Sequence, residues 1–123
     1  CEISYPGPTK EYYEKSLKFI GPDLAQAYEN YPIDIVDRRF MEAEMQVAAD
    51  VGRKMNVPVY CGEYGVIDKV GGADLLRWYD DIHAVFDKFG FGRAAWNYKE
   101  KDFGIIDECR ADIADEIVKH LKR

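Results

Sequence analysis

Two residues of a kind that can act on a sugar stand at the ends of two apolar segments of this chain. Glu63 follows the segment Val57–Cys61 and is flanked by Gly62 and Gly65, which permit tight turning and the close approach of a ligand to the backbone. Trp96 ends the second apolar segment. A carboxylate can attack or stabilise an anomeric carbon, and an indole can cover the apolar face of a sugar ring. Each also has an ordinary structural alternative, a solvated loop carboxylate for Glu63 and a core indole for Trp96.

Two amphipathic helices are predicted to position these residues. Asp37 is expected to cap the first helix and Asn56 to end it in a left-handed conformation. Asp74 is expected to cap the second helix, which Gly90 closes. The apolar residues of each recur at helical spacing: Met41, Met45, Ala48, Val51 and Met55 in the first, and Leu75, Tyr79, Ile82, Phe86 and Phe89 in the second.

Short apolar segments without alternation follow both helices. Val57–Cys61 and Gly92–Trp96 are predicted to be strands buried on both faces. Gly62–Gly72 is predicted to be a long loop, and Asn97–Asp107 a polar loop. A last helix, roughly Cys109–Leu121, would bury Ile113, Ile117 and Leu121.

The first 36 residues are predicted to hold loops and short helices. Cys1–Pro8 reads as a loop, a short helix could begin at Thr9, and another could run from Asp23 to Glu29. Tyr31–Val36 reads as a connector interrupted by Pro32.

Strands that alternate with helices indicate parallel pairing and an α/β fold. The two strands at 57–61 and 92–96 are expected to lie side by side, joined by a right-handed crossover through the helix between them. Two parallel strands alone leave both edges open, so a larger sheet or partner chains must complete the structure. The pattern of elements leaves a barrel and an open sheet as alternatives.

Composition excludes several classes of function. The net charge of −6, with scattered Lys and Arg, argues against a nucleic-acid partner. The sequence holds no apolar run long enough to span a membrane, and no signal peptide is visible. Cys1, Cys61 and Cys109 lack the spacing of a zinc site, and they do not reveal the compartment.

Two segments of the chain resemble the family 5 glycoside hydrolases, chiefly the cellulases. Residues 57–65 read Val-Pro-Val-Tyr-Cys-Gly-Glu-Tyr-Gly, which is similar to strand seven of that family, and residues 77–82 resemble the helix after it. Residues 95–99 and 102–105 resemble strand eight and its loop. The resemblance extends over roughly residues 37 to 121.

The resemblance implies the C-terminal portion of a (β/α)8 TIM barrel, namely strands seven and eight with flanking helices. Residues 1–123 would then be part of a catalytic domain, with 37–123 as its last two β/α units. Glu63 would be the nucleophile of a retaining enzyme that cleaves β-1,4-glycans, and Trp96 would stack on the sugar. Tyr64, Lys99 and Asp102 are further candidates for substrate binding, with packing as an equal alternative for Tyr64. No cofactor or metal is implied.

The chain departs from the family pattern in one essential respect. The family's general acid is a Glu in an Asn-Glu-Pro motif, which this sequence lacks. The nearest alternative carboxyls in the sequence are Asp68, Glu100, Asp102 and Glu108. Each is predicted to be a charged loop residue instead of a general acid. The resemblance therefore implies a missing N-terminal barrel portion as partner, a β-glucan or β-mannan oligosaccharide as substrate, and an extracellular location. A carbohydrate-binding fragment without catalysis, or a piece that folds with partner copies, is the alternative.

Overall fold

A helix that ends at a left-handed asparagine leads directly into the central pair of strands. The computed structural model describes residues 3–8, 14 and 35–122. Within them the order is β1 (Gly7–Pro8), β2 (Ile35–Val36), α1 (Arg38–Met55), β3 (Tyr60–Tyr64), α2 (Gly72–Phe89), β4 (Gly92–Ala95), a 3-10 turn (Glu108–Arg110) and α3 (Ala114–Leu121). The short helices predicted from Thr9 and over Asp23–Glu29, and the break at Pro32, lie outside the described residues. No helix in the described ranges is long and apolar enough to cross a membrane.

The predicted caps of α1 are confirmed. The Asp37 side chain accepts a hydrogen bond from the Phe40 backbone N–H at 3.0 Å, and Asn56 closes the helix at φ 54°. The apolar stripe is only half buried, because Met41 is buried whereas Val51 and Met55 are 56% and 62% exposed. The second half of the stripe therefore faces away from the core that the described residues form.

The strands β3 and β4 pair in parallel, as predicted. The first strand begins three residues later than expected and is not buried on both faces, since Tyr60 and Glu63 are exposed. The physical reason is that the backbone N–H of Val57 is used to close α1, by donating to Gly52 at 3.0 Å. Pro58 has no N–H to offer, so the ladder starts where the Val59 carbonyl accepts from Gly92 at 3.0 Å.

The second helix buries the stripe that the sequence predicts. Leu75, Tyr79, Ile82 and Phe86 are buried, and Gly90 ends α2 at φ 68°. Burial raises the pKa of Tyr79 to about 12. The predicted cap is wrong: Gly71 occupies the N-cap position, and Asp74 lies within the first turn. α2 packs between α1 and α3, so this stripe forms the centre of the core.

Asp74 instead holds the N-terminal segment against α2. Its carboxylate accepts from the Tyr5 backbone N–H at 3.0 Å and pairs with Arg77, whose Nε donates to the Tyr5 carbonyl at 3.2 Å. The buried Tyr5 hydroxyl donates to Asp81 at 2.7 Å. Burial, and then this hydrogen bond, raises the pKa of Tyr5 above its ordinary value. The segment predicted as a plain loop is thus anchored, and Gly7–Pro8 pairs with Ile35–Val36 as a short antiparallel ribbon.

The last predicted helix is divided in two. A 3-10 turn at Glu108–Arg110 precedes α3, which begins only at Ala114. The turn places Arg110, whose side chain is buried, so that its guanidinium donates to the carbonyls of Val70 at 2.6 Å and Ile67 at 2.9 Å. A continuous helix from Cys109 would give up this placement, which explains the difference. Ile117 of α3 is fully buried.

Replacing Arg110 with Met tests its role as the anchor of the loop between β3 and α2. The substitution keeps a long, unbranched side chain at position 110 but leaves two loop carbonyls without their charged donor. We expect the free energy of unfolding in urea to fall by about 2–4 kcal/mol. Arg53→Met is the control, because Arg53 is exposed on α1 and, within the described ranges, its ion pair is with exposed Asp50. A change of roughly 1 kcal/mol or less is expected there, and equal losses for the two variants would contradict the assignment.

Candidate functional site

Glu63 lies inside β3 rather than just after it, which corrects the position expected from the sequence. The pairing of β3 with β4 shifts between Cys61 and Tyr64, so the ladder contains an irregularity around Glu63. Such bulges occur beside active sites, where they re-aim a side chain. Glu63 is exposed, and the thiol of Cys61 donates to its backbone carbonyl at 3.3 Å. The carboxylate is therefore free to meet a ligand while its backbone is held.

Trp96 comes directly after β4 and is 42% exposed. Its backbone N–H donates to the Tyr64 carbonyl at 2.7 Å, which joins the ends of the two strands. Gly65 permits this close approach, since a Cβ at position 65 would overlap the Trp96 carbonyl oxygen. The indole is thus partly open to solvent, as a stacking surface requires, and its backbone is tied to the strand that carries Glu63.

Glu63 and Trp96 line one cavity of about 450 Å³. The other residues around it are mostly apolar or aromatic: Met45, Cys61, Tyr64, Gly65, Trp78, Ile82, Phe86 and Phe103. Among the described residues of this lining, Glu63 is the single carboxylate. An apolar wall with one carboxylate can hold a sugar ring and attack its anomeric carbon. It supplies no second carboxyl for proton transfer.

The Tyr64 ring belongs to the core. The residue is only 8% exposed, and its ring contacts Trp78, Tyr79, His83 and Phe86. The Tyr64 hydroxyl lies 2.8 Å from Nε2 of buried His83, and burial raises the pKa of Tyr64. This position favours packing over contact with substrate, the alternative that the sequence left open. His83 is buried in the same aromatic cluster.

Lys99 and Asp102 lie on the exposed loop after β4 and do not line the cavity of Glu63. The Asp102 carbonyl accepts from the Asp68 backbone N–H at 2.7 Å, which connects this loop with the one after β3. Glu100, Lys101 and Asp102 all have positive φ values, between 58° and 67°. The four alternative acids named from the sequence are likewise absent from the described cavity lining. No group of residues that could hold a metal occurs in the described part of the chain.

Sequence reasoning missed three contributors to this region. Trp78 and Phe103 line the cavity, and Arg110 anchors the loop that follows β3. Trp78 lies one position away from the apolar stripe of α2, and Phe103 lies in a loop without helical or strand periodicity, so periodicity marks neither. The signal that could have pointed to Phe103 is a large aromatic residue flanked by Lys101, Asp102 and Gly104 in a loop.

Comparison with known proteins connects this geometry with cellulases. No family model matches the chain. Endoglucanase C of Acetivibrio thermocellus is 30% identical over 123 residues, a match that covers 98% of this chain and 34% of the relative. Cellodextrinase A of Ruminococcus flavefaciens is 41% identical over 54 residues, which cover 44% of this chain and 16% of the relative. The chain therefore spans about a third of the length of the first of these relatives.

Solved structures support the same fold. A hyperthermophilic endo-β-1,4-glucanase, solved with substrate, aligns with a TM-score of 0.53 at 24% identity and covers 58% of this chain and 23% of the other. Cel5A of Thermotoga maritima with mannotriose aligns with a TM-score of 0.56 at 19% identity, covering 92% of this chain and 37% of the other. At these identities the alignments show similarity of fold alone.

The parallel strands, the helix that joins them and the residues at the strand ends define a portion of a (β/α)8 barrel. The sequence match and the fold together make the chain similar to the C-terminal part of cellulase-like enzymes.

Replacing Gly65 with Ala tests the contact between the strand ends. The new methyl group would meet the Trp96 carbonyl, and neither backbone can move aside cheaply. We expect the free energy of unfolding to fall by about 1–3 kcal/mol. The matched control is Gly62→Ala, because the nearest atom to a Cβ there is a Tyr60 ring carbon at 3.7 Å. That change is expected to lie within about 1 kcal/mol, and a Gly65→Ala variant as stable as the control would contradict the interpretation.

Proposed function

We propose that this chain supplies the nucleophile of a retaining glycoside hydrolase that cleaves β-1,4-glycans such as cellulose. The observation that carries the proposal is the shared cavity of Glu63 and Trp96 at neighbouring strand ends. In the proposed domain, residues 37–123 form the last two β/α units, and residues 1–36 precede them. The substrate is a β-glucan or β-mannan oligosaccharide. In support, the similar structures include complexes with cellobiose and mannotriose.

The proposed mechanism is double displacement. A Glu63 oxygen attacks the anomeric carbon while the bond from that carbon to the leaving oxygen breaks, and a covalent glycosyl-enzyme forms. A general acid outside this chain protonates the leaving oxygen. The same group then takes a proton from water, which attacks the anomeric carbon and releases Glu63. Trp96 contributes by covering the apolar face of the sugar.

Lys99 and Asp102 are proposed to bind hydroxyls of a neighbouring sugar from the loop after β4. Both side chains are exposed and can reach outward from the site. Tyr64 has no proposed contact with substrate, because its ring is enclosed by α2.

A second function, carbohydrate binding without catalysis, is favoured by one observation. The described cavity lining holds a single carboxylate, whereas a retaining glycosidase needs two carboxyls roughly 5–5.5 Å apart. A chain that binds oligosaccharide by itself and stays inactive in a completed barrel would support that function instead.

Glu63→Gln tests the nucleophile in a chimera in which this chain replaces the matched third of endoglucanase C of Acetivibrio thermocellus. We expect hydrolysis of soluble cellulose to fall by several orders of magnitude, because an amide cannot form the glycosyl ester. Cellotriose binding, measured by calorimetry, should persist because the shape of the site is retained. Glu100→Gln, on the exposed loop, is the control and should keep most of the activity. A Glu63→Gln chimera that remains active would place the nucleophile elsewhere.

Trp96→Ala tests the stacking surface in the same chimera. Loss of the indole is expected to weaken cellotriose binding at least tenfold, equivalent to about 1.4 kcal/mol. Thermal melts measured beside the titrations separate stacking from packing. A large loss of stability, roughly 3–5 kcal/mol, with unchanged affinity would assign Trp96 to the core.

The 123-residue chain alone is expected to hydrolyse no β-glycan. Cleavage needs protonation of a poor leaving group as well as nucleophilic attack, and Glu63 cannot do both at once. The check is an assay of the purified chain on a chromogenic β-glucoside and on soluble cellulose, with Glu63→Gln as the blank. Product release that depends on Glu63 would overturn this expectation and direct the search for an acid to Asp68, Glu100, Asp102 and Glu108.

A further inference from the structure

The two histidines of the sequence meet in one buried cluster. His83 lies on α2 and His120 on α3, and their ring centroids are 6.2 Å apart. His83 is 3% exposed and His120 is 9% exposed. Imidazole is the side chain that ordinarily changes its charge between about pH 5 and pH 8. Both imidazoles of the chain therefore lie where a change of charge acts on the core.

Aromatic rings from a strand and a helix enclose His83. Its ring centroid lies 5.5 Å from that of Tyr64 on β3 and 5.7 Å from that of Tyr79 on α2. Nε2 of His83 is 2.8 Å from the Tyr64 hydroxyl. Burial raises the pKa of Tyr64, and it raises the pKa of Tyr79 to about 12. Both phenols therefore stay neutral in the range in which an imidazole titrates.

Two guanidinium groups reach the phenols of this cluster. Arg93 of β4 opposes in part the rise that burial causes in the pKa of Tyr64, and Arg110 of the 3-10 turn does the same for Tyr79. Arg93 also pairs with the exposed Asp87 at 2.7 Å. Positive charge therefore already borders the cluster on the side of β4 and on the side of the 3-10 turn.

The carboxylate at the edge of the cluster faces the other histidine. Asp80 lies 3.4 Å from Nδ1 of His120. The charged neighbours of His120 on α3, Glu116 and Lys119, pair with each other and are 48% and 72% exposed. A proton on His120 would thus have Asp80 as its counter-ion, whereas a proton on His83 would add positive charge next to His120.

These surroundings give folding a predictable dependence on pH. Burial and neighbouring positive charge make a proton on His83 more costly in the folded chain than in the unfolded chain, where imidazole takes up a proton near about pH 6.5. The unfolded chain then binds more protons in acid, so stability is present above that pH and is lost as the pH falls. A protonated ring can only donate, so the Tyr64 hydroxyl also loses Nε2 as an acceptor.

We propose that His83 is a pH sensor whose protonation loosens α3 and the strand end at Tyr64. The two elements meet at this ring, because His120 of α3 contacts it and the Tyr64 hydroxyl bonds to it. The Tyr64 carbonyl accepts the Trp96 N–H at 2.7 Å, which joins β3 to β4 beside Glu63. The candidate site therefore keeps its geometry at neutral pH and loses it reversibly in acid.

The first test is urea unfolding of the complete 123-residue chain at two pH values. If one proton is excluded from the fold, the equilibrium constant for unfolding should rise about tenfold from about pH 7.5 to about pH 5.5, equivalent to about 1.4 kcal/mol. His83→Gln keeps a polar partner for the Tyr64 hydroxyl but cannot take up the proton, so its rise should be about threefold or less.

His120→Gln is the matched control, because it makes the same substitution on the ring that has Asp80 beside it. This variant should keep most of the tenfold rise. A His83→Gln chain that responds to pH as strongly as the unmodified chain, or an equal loss of the response in both variants, would overturn the assignment to His83.

Nuclear magnetic resonance of the unmodified chain gives a test that does not require any variant to fold. With two imidazoles in the chain, their ring signals can be assigned by comparison with a His120→Gln sample in urea and with the folded chain. The His83 ring should stay neutral in the folded chain at about pH 5.5, whereas both rings should be protonated at that pH in urea. A His83 ring that titrates near about pH 6.5 in the folded chain would overturn the proposal.

Amide exchange shows where the structure loosens. The protection factors of the Trp96 and Ile117 N–H groups, which donate to Tyr64 and Ile113, should fall about tenfold from neutral pH to about pH 5.5, and His83→Gln should abolish the fall. The Asn56 N–H at the end of α1 is the internal control and should change about twofold or less. Equal falls at all three positions would mean global unfolding and would remove the link to the strand end.

Discussion

The contact between the ends of β3 and β4 determines where the candidate site can form. The Trp96 backbone N–H donates to the Tyr64 carbonyl, and the missing side chain of Gly65 lets the Trp96 carbonyl come close. These two contacts fix the start of both loops and keep Glu63 and Trp96 around one cavity. Because both are made by the backbone, their strength is independent of the side chains that would bind substrate. The side chains at this surface can therefore vary without loss of the backbone contacts that join the two strand ends.

Local patterns in the sequence predict the helices and the parallel pair well. Asp37, Asn56 and Gly90 act as caps because each satisfies or redirects the backbone of its own helix, which depends on neighbouring residues alone. Asp74 fails as a cap because its carboxylate binds Tyr5, far away in the sequence. Arg110 is similar, since its partners are carbonyls of the distant loop after β3. No spacing rule reveals such contacts.

The candidate site likewise combines features that the local sequence predicts with features that depend on distant contacts. The motif around Glu63 and the indole of Trp96 are visible in the sequence, and the fold brings both to one cavity. The irregular pairing at Glu63 could not be foreseen, because register depends on the partner strand. Nor could the inward position of the Tyr64 ring, which depends on His83 and Phe86 of α2. A residue next to a candidate nucleophile can belong either to the core or to the site, and its burial in the structure decides between the two.

The loop after β4 is held mainly by bonds to itself. Ile105 donates to the Asn97 carbonyl at 3.1 Å, Ile106 donates to the Tyr98 carbonyl at 3.2 Å, and the Asp107 carboxylate accepts from the Glu100 backbone N–H. Three successive residues with positive φ set its turn, and each costs roughly 1–2 kcal/mol that these bonds offset. A loop held by its own hydrogen bonds can be exchanged as a unit without rebuilding the rest of the fold. Recombination between related barrels at positions 96 and 108 would transfer the whole loop as one inherited unit.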